Sequence, residues 1–139
     1  MATTTATITL ASGDIADNSF SISNTATLTT AGTDTGLSEF TGLARKKTNS
    51  GSNTVLLDSG AGEAGDVTAD KSAKVYIKNI NDRGDGTKFV TILLTAVEIG
   101  RLYGGDWMFI PWAGGSGKDI EFTASDTTET TLEYCVFYE

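Results

Sequence analysis

Apolar and polar residues alternate along most of this chain. In residues 5–11, Ala6, Ile8 and Leu10 share one face while Thr5, Thr7 and Thr9 share the other. Phe20 and Ile22 alternate with Ser19, Ser21 and Ser23, and Ala26 and Leu28 alternate with Thr25, Thr27 and Thr29. Period two is the mark of a half-buried strand. Further strands are predicted over residues 54–58, 74–78 and 89–94, around Val97, Ile99 and Leu102, and over 107–112, 120–124 and 131–138. Leu37, Phe40, Leu43 and Ala44 fit helical spacing, but Gly42 interrupts it, so a short turn or strand fits equally. Asn81-Asp82-Arg83-Gly84-Asp85-Gly86 is turn chemistry between two strand patterns and reads as a hairpin loop. Pro111 cannot donate a ladder hydrogen bond, which places its end of a strand at an edge or a terminus. Strands recurring with turns between them predict an all-β fold. The expected form is an antiparallel β-sandwich, jelly-roll or immunoglobulin-like, with a Thr-rich N-terminal β arm.

The two halves differ in bulk. The first 35 residues hold eleven Thr, and the apolar residues among them are few and small. Thr is β-branched and suits strands better than helices. A thinly cored segment of this kind needs another surface to lie against. The expected division is a partner-engaging arm over residues 1–58, a Gly-rich connection over 59–66 and a sandwich body over 67–139. Sheet-edge addition by the arm would let backbone hydrogen bonds supply binding energy.

Composition narrows the function. The 139 residues include no His and one Cys, Cys135, so zinc sets, a Ser-His-Asp triad and a Cys-His dyad are missing. Cys135 sits on a terminal strand pattern and reads as a small buried hydrophobe. Ten basic against eighteen acidic residues give a net charge of −8. That balance disfavours phosphate backbones and anionic lipids, so neither nucleic acid nor membrane is an expected partner. No apolar run approaches the roughly 20 residues of a spanning helix, and the first residues do not resemble a secretory signal. The first 44 residues carry four acids and no base, and the first cations come together as Arg45-Lys46-Lys47. That run is the candidate contact with an acidic partner.

Each remaining motif has a plain alternative. Arg83-Gly84-Asp85 spells an adhesion tripeptide, yet turns are rich in Gly and Asp. The same loop imitates a calcium loop, but Arg83 stands at a ligand position and Ile92 where a bidentate Glu belongs. A plain turn is the default, with a weak cation site around Asp82 as the alternative. Gly114-Gly115-Ser116-Gly117-Lys118-Asp119 fails as a phosphate loop, because Trp112 and Asp119 occupy the required Gly and Ser/Thr places. The Thr rows of the arm are too few for an ice-binding repeat and read as the solvent face of strands. Asp82 with Asp85, and Glu121 with Glu133, are carboxylate pairs with no cleft to face across. Tyr103, Trp107 and Trp112 are a candidate adhesive or sugar-stacking patch, with Asp106 as a polar handle. Trp107 and Trp112 lie five apart on one strand, so they point to opposite faces and at least one is expected in the core.

A resemblance adds to this. Val75-Tyr76-Ile77-Lys78-Asn79 is followed by Ile99-Gly100-Arg101-Leu102-Tyr103-Gly104-Gly105-Asp106 and then Phe109-Ile110-Pro111-Trp112. Asp119-Ile120 and Leu132-Glu133-Tyr134, running to Phe137-Tyr138, complete the series. This succession, over residues 73–139, resembles virion structural proteins of tailed bacteriophages, those of marine and cyanobacterial phages above all. The resemblance implies a β-sandwich on or in the particle, no catalysis and no cofactor. The expected partners are copies of the chain and the major capsid or tail proteins. The expected location is the virion, assembled in the host cytoplasm. By analogy, a small acidic β-domain suits the outside of a head, as a capsid decoration or cement subunit. A tail or baseplate subunit and a carbohydrate-binding β-sandwich module are the alternatives.

Overall fold

Alternation becomes strands wherever one face can be buried. The computed structural model describes residues 3–14, 19–29, 36–48, 51–59, 72–84, 88–114, 117–125 and 129–138. Among these lie eleven strands and no helix. They are β1 (Thr4–Ser12), β2 (Phe20–Leu28), β3 (Glu39–Phe40), β4 (Ala44–Thr48), β5 (Thr54–Leu57) and β6 (Ser72–Asn79). The rest are β7 (Phe89–Leu94), β8 (Val97–Tyr103), β9 (Trp107–Ala113), β10 (Ile120–Ala124) and β11 (Thr130–Tyr138). The residues once read at helical spacing around Phe40 are therefore strand and turn.

Two antiparallel sheets form the body. One has the order β5-β10-β7-β8. The other has β11-β6-β9, with β3 and β4 lying end to end along the free side of β11. Gly42, at φ +85°, turns the chain between β3 and β4. There Thr41 donates its N–H to the Val136 carbonyl and accepts the Val136 N–H on Oγ1, both at 3.0 Å. The body pairings are nested: β4 with β11, β5 with β10, β6 with β9 and β7 with β8. Every step from β4 to β11 crosses to the opposite sheet except the β7–β8 hairpin. Pro111 lies on β9, an edge strand, as its missing N–H requires.

The core sits between the sheets. Val75, Ile77, Leu132 and Val136 from one sheet meet Val90, Ile92, Ile120 and Phe122 from the other, all fully buried. Each occupies an alternate position on its strand, and removing their side chains from water drives the two faces together.

β6 and β7 do not form the expected hairpin, and of its predicted loop only residues 81–84 are among the described residues. β6 and β7 belong to different sheets, so this segment is a crossover corner. Turn residues permit a reversal without specifying which strands pair. Asn79, buried at the corner, fixes the geometry. Its Nδ2 donates to the Leu102 carbonyl at 3.0 Å, and its Oδ1 accepts the Asn81 N–H at 3.1 Å and Asn81 Nδ2 at 2.6 Å. The β8–β9 corner locks onto it through Gly105 N–H to Asn79 O and Asn79 N–H to Asp106 O, at 2.8 and 2.9 Å.

The β7–β8 turn has two central residues with positive φ, Thr95 at 51° and Ala96 at 62°. That is the two-residue turn whose twist matches paired strands, and Gly suits it best. Ala96→Gly is expected to raise stability by roughly 0.5–1 kcal/mol, read as a higher denaturation midpoint at unchanged slope.

β1 and β2 pair only with each other. Their hairpin is tied to the body at its base. Thr4 Oγ1 donates to the Leu37 carbonyl at 2.7 Å, and the Leu37 N–H donates to the Leu28 carbonyl at 3.0 Å. β3, β4 and β5 fall within residues 1–58 but are strands of the two body sheets. By pairing, the arm is the β1–β2 hairpin alone. Of the expected connection over 59–66, residues 60–66 lie outside the described residues.

Candidate functional site

The outward face of the five-stranded sheet is unusually apolar. Because Val75 and Ile77 face the core, Tyr76 on β6 faces out, and the register sets it between Phe109 on β9 and Cys135 on β11. Trp107 follows Phe109 on the same face, and Phe137 follows Cys135. The rings form a chain. Phe40 stacks on Phe137 with centroids 5.1 Å apart, Phe137 meets Phe109 edge-on at 6.2 Å, and Tyr76 meets Trp107 at 6.4 Å. Cys135 lies buried among them. Burial, and secondarily the Glu133 carboxylate, pushes its thiol above its ordinary pKa, and burial does the same to the Tyr76 hydroxyl. The thiol packs as a small buried hydrophobe.

The arm overhangs this floor. Between them is an open cleft of about 350 Å³. Thr4, Thr5, Ala6, Thr7, Ile8 and Leu28 line the arm side, and Leu43, Tyr76, Trp107, Phe109, Cys135 and Phe137 line the body side. The arm is amphipathic. Register places Ala6 opposite Ala26, Ile8 opposite Asn24, Leu10 opposite Ile22 and Ser12 opposite Phe20 on one face. The other face is a hydroxyl ladder, with Thr7 to Thr25 at 2.8 Å and Thr9 to Ser23 at 3.3 Å. On the apolar face Ile8 is 41% exposed, Leu10 53%, Phe20 42% and Ile22 50%. An isolated two-stranded ribbon is marginal in water, and the body covers only its base.

The chain matches no protein-family model, and no curated protein or solved structure shows significant similarity to it.

The predicted aromatic patch does not assemble. Trp112 faces the core, 3% exposed, and its Nε1 donates to the Lys118 carbonyl at 2.6 Å. Trp107 faces out, 51% exposed, so strand parity separates the two as expected. Tyr103 belongs to the other sheet, where its ring packs on Phe89 at 5.6 Å.

The basic run is divided by the same parity. Arg45 donates from Nε and Nη2 to Glu133 at 3.1 and 3.0 Å, and Lys47 pairs with Glu129 at 2.7 Å. Lys46 sits opposite the buried Leu132, on the inward face at the sheet margin. Arg45-Lys46-Lys47 is thus not one cationic patch. Instead Arg45, Lys47, Lys74 and Lys78 share the outward face with the aromatic floor.

The turn motifs resolve as structure. Arg83 donates to the Gly104 carbonyl at 3.0 Å and pairs with Asp106, so it braces two corners, while Asp85 lies outside the described residues. Asp119 accepts the Ser59 N–H and hydroxyl at 2.9 and 2.5 Å, which holds its carboxyl below the usual range. Glu121 accepts the Ala96 N–H on β10 while Glu133 serves Arg45 on β11, so that carboxylate pair does not converge. Among the described residues no group of three or more His, Cys, Asp or Glu is placed to hold a metal ion. Sequence reasoning missed the grouping of Phe40, Tyr76, Phe109, Cys135 and Phe137. The parity of Trp107 and Phe109 hinted at it, but the register between distant strands is what assembles it.

Proposed function

We propose that this chain is a structural subunit of a tailed-phage virion, a capsid decoration or cement protein that acts by binding its neighbours rather than by turning over a substrate. The observation that carries the reading is the arm: an amphipathic hairpin, tied at its base, whose apolar face its own body leaves open. Such a face belongs against another subunit. Two features add support. The nested pairing of β4 to β11 supports reading the sandwich as a jelly roll over an immunoglobulin-like one, and jelly rolls are common among capsid domains. The second is our reading of the motif series in residues 73–139 as akin to tailed-phage virion proteins, on which no relative found bears. A cement subunit adds buried interface between shell subunits, and an arm that reaches past its own body provides it.

The test compares the full chain with a form lacking residues 1–35, each mixed with purified heads of the encoding phage and sedimented. The full chain is expected to pellet with the heads at lattice stoichiometry. The deleted form is expected to stay in the supernatant with its strand circular dichroism retained. Undiminished incorporation of the deleted form would refute the role of the arm. Association with tails alone would move the protein to the tail or baseplate.

A further inference from the structure

We infer that the first partner of the arm is a second copy of this chain, whose aromatic cleft receives the apolar face of the hairpin. This deepens the particle reading by naming what covers the arm.

Each copy carries both halves of the contact. The donor half is Ile8, Leu10, Phe20 and Ile22 on one face of the hairpin, all about half exposed. The acceptor half is the floor of the cleft, where Leu43 and Trp107 are likewise about half exposed over the buried Cys135, with half-exposed Phe40 beside it, stacked on the lining residue Phe137. Within one copy the arm's Ala6 and Ile8 already border that cleft, while Leu10, Phe20 and Ile22 lie on the same arm face outside its lining. The donor and acceptor are therefore continuous but mutually unsatisfied.

Area supports the match. Seven half-exposed large side chains leave roughly 600 Å² of apolar surface per copy, divided between the arm face and the floor. Exchange in both directions between two copies would cover on the order of 1,200 Å², the lower bound for a specific, stable interface. Charge supports it too. The arm carries no Lys or Arg, whereas Lys74 and Lys78 lie on the face that forms the floor, beside Arg45 and Lys47, which pair with Glu133 and Glu129. With a net charge of −8, two copies repel overall, so an arm without cations is better received by a face that carries Lys74 and Lys78 than by an acidic one. Exchange in both directions makes the contact two-fold symmetric, so it closes as a dimer.

The test needs only the purified full chain. Light scattering after size exclusion, at about 0.1 mM, is expected to show a discrete oligomer. Leu10→Asp with Ile22→Asp, a cross-strand pair at exposed positions, is expected to weaken association at least 100-fold with strand circular dichroism unchanged. Leu43→Asp with Trp107→Ala on the floor is expected to do the same. Mixing the two double variants leaves one intact arm-to-floor contact, so it is expected to give a heterodimer weaker than the wild-type oligomer but tighter than the self-association of either variant. A wild-type monomer at that concentration would overturn the inference. So would an oligomer indifferent to the arm substitutions, or one indifferent to the floor substitutions, which would mean that arms pair with arms. A monomer that still decorates heads would sink this inference and leave the particle reading standing. An oligomer that ignores heads would do the reverse.

Discussion

Gly104→Ala is expected to destabilise the body by about 3 kcal/mol or more, toward the upper end of what overpacking costs. The cause is space. A Cβ at position 104 would stand 2.5 Å from the Asp82 carbonyl oxygen and 2.6 Å from that of Asn81. Both obstacles are backbone, so no side chain can swing away. Nor can the backbone yield cheaply. Asn79 and Arg83 hold one corner against the other through Leu102, Gly104 and Asp106, and the Asp106 carboxylate also accepts the Tyr103 N–H at 3.0 Å. Moving Asp82 would break bonds at both corners and leave the buried Asn79 unsatisfied. Gly100→Ala is the control. It lies on β8 with nothing within 4 Å of the added carbon and is expected to shift stability by no more than about 0.5 kcal/mol. Urea denaturation midpoints compare the two directly. Equal effects would mean that the two corners are not packed as described.

Trp112→Ala is expected to cost about 3–5 kcal/mol, while Trp107→Ala costs the lone chain about 1 kcal/mol or less. The two differ by burial. Trp112 fills the core beside Ala73, its pairing partner on β6, and its indole N–H closes the loop before β10 at the Lys118 carbonyl. Truncation leaves a cavity and a carbonyl without its donor. Trp107 loses only its contact with Tyr76 and a partly hydrated face. The melting temperature should fall on the order of 15 °C for the first and by only a few degrees for the second. A sugar-stacking patch built from both rings predicts small, similar stability effects and a shared loss of polysaccharide binding. Equal melting temperatures would therefore revive that alternative.

Strands were legible because period two survives in any half-buried sheet, and residues 120–124 were read at their observed bounds. The split between Trp107 and Trp112 follows from the same parity. What parity cannot carry is pairing. Residues 81–86 look like a hairpin because local turn chemistry is blind to which sheet comes next, and only the packing of Asn79 against Leu102 reveals a corner. Arg45-Lys46-Lys47 looks like a patch because adjacency in sequence is not adjacency on a strand, where neighbours point apart. The aromatic floor was hidden for the opposite reason. Phe40, Tyr76, Phe109 and Phe137 come from four strands far apart in sequence, and they meet only through the β3-β11-β6-β9 order. The arm shows the limit of local reading. Its alternation was plain, while the absence of a cover for its apolar face emerged only once the body had been assembled without it.

The most direct test is electron microscopy of the native particle at a resolution that shows strands. The account predicts repeated copies of this β-sandwich on the head, each with its β1–β2 hairpin laid against a neighbouring subunit and Leu10 and Ile22 out of water. Particles that lack the chain, or copies whose hairpins extend freely into solvent, would contradict it.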